Sequence, residues 1–98
     1  IASINGVSEP ELIEATRTEP TYPQLARRAG INGKVIVQAV VRKDGSLDDL
    51  NVLDATDPDL GFTQAALESV SQWRYVPGKL GGRPVDVMIT IVVKFSLR

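Results

Sequence analysis

Potential nucleophiles are plentiful in this chain, but the groups that would activate them are missing. Serines stand at positions 3, 8, 46, 69, 71 and 96, and the chain has no His and no Cys. A serine nucleophile needs a base within hydrogen-bond reach. Lys34, Lys43, Lys79 and Lys94 would serve only if burial lowered their pKa, and each flanks a turn or lies on the wet face of a strand pattern. Paired acids occur at Asp48 and Asp49 and at Asp57 and Asp59. Neighbours on a strand point to opposite faces, so the first pair does not converge. The second pair flanks Pro58 and reads as solvated turn acids. Residues 30–33, Gly-Ile-Asn-Gly, follow a helix pattern and enter a strand pattern; a phosphate loop runs the other way, from strand to helix. A zinc site built from carboxylates alone would be unusual. No catalytic residue, no cofactor, no metal site and no small-molecule substrate is expected.

The bulk composition narrows the partners further. The chain has 98 residues, enough for one core and not for two. Apolar residues make up 43% and charged residues 23%, an ordinary globular balance. Eleven basic against twelve acidic residues leave a charge of −1. That argues against nucleic acid, which calls for a basic stripe, and against anchoring to anionic lipid. No apolar run approaches the roughly 20 residues of a membrane span. The chain begins at Ile1, which suggests a processed product or an excised piece with any anchor upstream.

The elements follow from spacing. Residues 1–19 read as an approach segment, with a turn at Asn5 and Gly6 and a short strand over 11–15. The domain itself is placed at 20–98. Tyr22 and Pro23 open a short helix in which Leu25, Ala26 and Ala29 share a face, and Gly30 sits where a left-handed cap is wanted. Residues 34–42 alternate, with Val35, Val37, Ala39 and Val41 on one face. Asp44 and Gly45 are a strong hairpin signal, and 46–53 are the return strand. A loop is expected over 54–61. A helix is expected over 63–74, with Phe62, Ala66, Val70 and Trp73 on one stripe. A further loop runs over 77–84. Residues 85–97 form the longest strand: Val85, Val87, Ile89, Ile91, Val93, Phe95 and Leu97 face the core, and Asp86, Met88, Thr90, Val92, Lys94 and Ser96 face away. The predicted fold is α+β in two layers. A three-stranded antiparallel sheet carries two helices on one face, in the order helix-strand-strand-helix-strand, and has two open edges.

Several motifs occur in a characteristic order: Tyr22 and Pro23, Gly30 and Gly33 before a Val-rich strand, Asp44 and Gly45, the run Trp73, Arg74, Tyr75, Val76, Pro77, then Gly82, Arg83, Pro84, Val85, and finally Phe95. Taken together over 20–97, about four-fifths of the chain, they resemble the TonB C-terminal domain family. Trp73, Tyr75, Pro77 and the glycines are also explained by packing and turn geometry alone, so they speak for the fold rather than for a binding site.

The resemblance implies a periplasmic domain of Gram-negative bacteria, tethered to the inner membrane by an N-terminal helix absent from this chain and energised there by a proton-driven motor complex. It implies capture of a short peptide, the TonB box of an outer-membrane transporter, to drive uptake of iron chelates, cobalamin or similar cargo. The alternative is a TonB-like adaptor or sensor domain without a transporter partner. Strand addition to the last strand would supply the capture, through Val87, Met88, Ile89, Thr90, Ile91, Val92 and Val93. Asp86 and Lys94 mark its ends and leave the middle open. Just before Tyr22, the segment Glu19, Pro20 and Thr21 matches the family's second contact. Glu19 replaces the Gln of the best-known member and would favour a basic or neutral peptide. Residues 11–16 could instead lie along the last strand, and an open edge also admits a homodimer.

Overall fold

The computed structural model describes residues 6–97; Ser3 and Asn5 lie outside them. In chain order the elements are β1 (Val7–Ser8), β2 (Glu11–Leu12), a 3-10 turn (Glu14–Thr16), α1 (Gln24–Ala29), β3 (Gly33–Val41), β4 (Leu47–Ala55), a second 3-10 turn (Pro58–Leu60), α2 (Phe62–Val70), β5 (Tyr75–Val76), β6 (Gly78–Leu80), β7 (Arg83–Val85) and β8 (Val87–Phe95).

The main sheet runs β4-β3-β8, antiparallel throughout. Val35, Val37, Ala39 and Val41 of β3 are wholly buried, as the alternation predicts. From β8, Val87, Ile91, Val93 and Phe95 join the same side, while Met88 and Val92 are 44% and 49% exposed on the other. The helices supply Ala26, Phe62, Ala66 and Val70 to the core. Three rings lock one end. Tyr22 meets Phe62 and Phe95 edge-on at 5.9 and 5.7 Å, and Phe62 meets Phe95 at 4.9 Å. Gly33 is needed here for room, since a Cβ would lie 2.6 Å from the Phe62 ring.

The structure departs from the sequence expectations where pairing is remote or irregular. The return strand extends to Ala55, shortening the loop expected over 54–61. Its pairing slips twice, between Ile36 and Val37 and between Gln38 and Val40, so that β4 carries an extra residue each time. Asp49 takes a left-handed φ of 51° at one of these bulges. An extra residue flips the facing of everything after it, which is why Leu47, Leu50, Val52 and Ala55 all reach the core despite broken alternation.

Helix α2 stops at Val70 rather than continuing to 74. Gln72 and Trp73 donate to carbonyls three residues back, Ser69 and Val70, tightening the chain so that Trp73 still packs inward. In α1 only Ala26 is buried. Leu25 is 62% exposed and Ala29 is exposed too, because the helix ends after six residues at the left-handed Gly30. The expected loop over 77–84 is a β6–β7 hairpin, turned by Gly81 and Gly82 with φ of 58° and 82°. The long last strand breaks at Asp86 and ends at Phe95.

The approach segment is fastened down. β1 pairs with β6 and β2 with β5, so residues 11–12 lie on Tyr75–Val76 and not along β8. The strand expected over 11–15 is therefore two residues long, followed by a 3-10 turn. Trp73 Nε1 donates to the Thr18 carbonyl at 3.1 Å, and the Arg17 guanidinium sits 5.6 Å from its ring centre.

Gly45 and Gly30 separate two reasons for glycine. Both have positive φ, 87° and 68°. A Cβ at Gly30 meets nothing within 4 Å, whereas at Gly45 it would lie 2.2 Å from the Tyr75 carbonyl oxygen. Gly30→Ala should cost about 1 kcal/mol of strain, and Gly45→Ala at least about twice that, read from urea unfolding midpoints.

Candidate functional site: the edge of the sheet

An edge strand turns every second N–H and C=O toward its partner and the rest outward. β8 pairs with β3 through nine consecutive residues, Gly33↔Phe95 to Val41↔Val87, without a slip. Among the described residues no strand lies on its other side. The outward groups of β8 thus form a straight, regular row. The opposite edge differs. β4 is interrupted by its two bulges and carries Asp48, Asp49 and Asp54. Such features disfavour further pairing, so of the two open edges expected from sequence only that of β8 is regular.

The expected site residues fall into three groups. Val87, Ile91 and Val93 point into the core, and Ile89 packs against it; only their backbones are open to a partner. Met88, Thr90 and Val92 are exposed on the outer face. There they stand opposite Val40, Gln38 and Ile36 of β3, giving a partly apolar surface that neither helix covers. Glu19, Pro20 and Thr21 lie elsewhere. With Thr18, Ala65, Glu68, Ser69 and Gln72 they line a cleft of about 100 Å³ beside α2. The structure does not bring them against Val87–Thr90, although Tyr22, next in the chain, touches Phe95 at the end of β8.

Two residues escaped the sequence reading. Glu9 and Pro10 face Val87, Met88, Ile89 and Thr90 across a cleft of about 290 Å³. They are placed there by the pairing of Ser8 with Lys79, a contact no local pattern announces.

The start of β8 is pinned electrostatically. Arg42 reaches Asp48 at 2.8 Å, Asp49 at 3.4 Å and Asp86 at 3.2 Å. Asp86 also accepts the Lys43 backbone N–H at 3.0 Å. It therefore ties the hairpin to β8 rather than merely marking an end. The Arg42 hydrogen bond, then the Asp49 N–H, hold the Asp48 carboxyl below its ordinary 3.8. A depressed acid contributes stability above its unfolded pKa and loses it as pH falls through the folded value, here below about pH 4. The pair is solvent-exposed, so the effect on stability is small.

A short helical layer lies over a three-stranded antiparallel sheet, one edge of which is regular and, among the described residues, open. The family described as the C-terminal domain of the Gram-negative bacterial TonB protein matches residues 18–97, and the chain belongs to it. It is 33% identical over 91 residues to the protein TonB of Vibrio cholerae serotype O1, covering 93% of this chain and 36% of that protein. It is 34% identical over 81 residues to the protein TonB of Escherichia coli K12, covering 83% and 32%. The chain thus spans about a third of the length of these relatives. The solution structure of the Pseudomonas aeruginosa TonB CTD superposes with a TM-score of 0.73 at 27% identity, covering 93% of this chain and 89% of that one. The TonB2 protein from Vibrio anguillarum gives 0.64 at 29%, covering 84% and 77%.

Arg42→Gln should return the Asp48 titration toward 3.8, followed by carboxyl-carbon NMR, with the β3–β8 amide pattern intact. An unchanged titration would assign the depression to the Asp49 N–H instead.

Proposed function

We propose that this chain is the partner-binding part of a TonB-type energy transducer, and that it captures an extended peptide by adding it to the open edge of β8. The observation that carries this reading is the uninterrupted nine-residue register of β8 on β3 with its far side open. The peptide is the TonB box of an outer-membrane transporter. The setting is the periplasm, with a proton-driven motor complex in the inner membrane acting through parts of the protein outside this chain. The cargo class is iron chelates, cobalamin and similar solutes.

The energetics suit a contact that forms and releases. Four to six added backbone hydrogen bonds at about 0.5–1.5 kcal/mol each, with modest apolar burial and less ordering cost, come near the −8 kcal/mol of micromolar binding. Most of that resides in backbone groups of Val87 to Val93, so several peptides can share the site. Met88, Thr90 and Val92 add side-chain contacts on the outer face. A peptide running past Phe95 approaches Tyr22 and, before it, Glu19, Pro20 and Thr21. The carboxylate of Glu19 favours a basic or neutral residue there.

Titrating labelled TonB-box peptides and following amide shifts by NMR tests this. The expected result is micromolar binding, with the largest shifts over 87–93 and lesser ones at 19–21. Peptides N-methylated at alternate positions should split by parity, one set binding and the other not, because only every second N–H enters the ladder. Shifts centred on β4, or no parity effect, would overturn strand addition at β8.

A further inference from the structure

Lys34 and Lys94 stand directly opposite one another across β3 and β8. Like charges so placed destabilise a sheet. Both side chains are exposed on the outer face, and among the described residues neither ammonium has an ion pair. Asp54 pairs with Ile36, one row along on the same face. It keeps a carboxylate oxygen on the Ala55 N–H at 3.0 Å and bridges to neither lysine. Two positive charges are thus held together at the Phe95 end of the sheet, with no carboxylate among the described residues to neutralise them. A sequence breaks a local rule of this kind mainly where a function requires it.

The same face carries an apolar strip. Ile36 pairs with Val92 and Val40 with Met88, with Gln38 and Thr90 between them. The helices pack on the opposite face, where Ala26, Phe62, Ala66 and Val70 enter the core. At the far end of the strip the charge is reversed. Asp48, Asp49 and Asp86 share the single guanidinium of Arg42. Even with the neighbouring Lys43 counted, acids outnumber bases there. The strip therefore runs from two cations without partners among the described residues, over apolar side chains, to an acid-rich end.

We propose that this outer face receives an amphipathic helix of a partner protein. Its acidic first turn lies over Lys34 and Lys94, its apolar stripe over Ile36, Val40, Met88 and Val92, and its basic last turn over the carboxylates around Arg42. From Lys34 to Arg42 is about 27 Å along an extended strand, which a helix of about 18 residues spans. The strip is two strands wide, about 5 Å between backbones, so one helix about 10 Å across covers it. A second sheet laid on this face, from another copy, would also bury Asn51 and Asp54 of β4, polar groups that are costly to take out of water and that a single helix leaves exposed. Acids in the first turn and bases in the last also stabilise a helix by themselves, so the charge order that fits this face suits the helix that brings it. The helix stacks on the sheet, whereas a strand added at the β8 edge lies in its plane. The proposal therefore does not rest on the peptide reading.

Two synthetic helices of about 18 residues test this. They share one leucine stripe; the first has glutamates in its first turn and lysines in its last, and the second has the reverse order. Methyl NMR reads the face directly. β3 is paired along both sides, so its Ile36 and Val40 methyls report a ligand stacked on the sheet rather than one added at an edge. The acid-first helix should bind with a Kd below about 1 mM and shift the methyls of Ile36, Val40, Met88 and Val92. The reversed helix should bind about fivefold more weakly. Lys94→Glu should raise the urea midpoint, because an opposite pair replaces a like one, and yet weaken the acid-first helix about fivefold. Lys94→Arg should leave both as in the wild type. A Lys94→Glu chain that is more stable and binds the helix equally well would overturn the proposal. So would equal affinity for the two helices, or silent methyls at 36 and 40. Binding of phosphatidylglycerol vesicles in place of the helix, or self-association that shifts those methyls, would assign the face to another occupant and overturn it too. None of these outcomes touches the edge titration, which is read from amide shifts over 87–93 and from the parity of N-methylation.

Discussion

Val35, Val37, Ala39 and Val41 have no access to water, and the strand that carries them is hydrogen-bonded along both sides. The rest of the molecule takes its position from that strand. Burial of one face of β3 fixes its register, because a one-residue slip would turn all four side chains outward. With β3 fixed, β4 and β8 have assigned places. Phe62 can lie against Gly33 only because that position has no Cβ. The Tyr22 ring then closes the end, its hydroxyl donating to the Ile31 carbonyl. The Tyr-Pro step, the glycine before the strand and the aromatic residue ending β8 thus form one packing unit, although 73 positions separate Tyr22 from Phe95 (95 − 22).

The same constraint makes the two edges unequal. The apolar residues that β4 turns to the core are spaced three, two and three apart, at 47, 50, 52 and 55, while Leu53 is exposed. A regular strand cannot bury residues at odd spacing. Two bulges solve this, and the cost falls on the edge, which loses its straight row of donors and acceptors. β8 alternates without error, needs no bulge and keeps its row intact. The hydrophobic pattern of β4 thus leaves β8 as the regular edge of the sheet.

What could be read from the sequence follows the range of the interactions. The alternation of β3 and β8, the Asp44–Gly45 turn and the Phe62, Ala66 and Val70 stripe are local patterns, and each places its residues where the structure has them. Outer-face exposure of Met88, Thr90 and Val92 was readable for the same reason. The bulges were not, because they answer to the partner strand. Nor was the end of α2, since Trp73 keeps its place on the stripe whether the chain is helical there or tightened into a turn. The fastening of residues 7–18 was least readable: its partners at Ser69, Trp73, Arg74 and Lys79 lie 51 to 71 positions away. Leu25 shows the converse failure, an apolar residue on the expected face of a helix too short to bury it.

That fastening bears on the edge. Glu9 and Pro10 are held near β8 by a two-residue strand on either side, β1 on β6 and β2 on β5, whereas β8 itself is held by nine register pairs. Opening free energy scales with the contacts that must be given up. The floor of the cleft beside Val87–Thr90 is therefore much harder to move than its wall. A strand added at this edge, as proposed, would meet a preformed ladder of nine paired residues. Under the proposed strand addition, affinity would come mainly from the ladder and discrimination from the side chains of the cleft and the outer face.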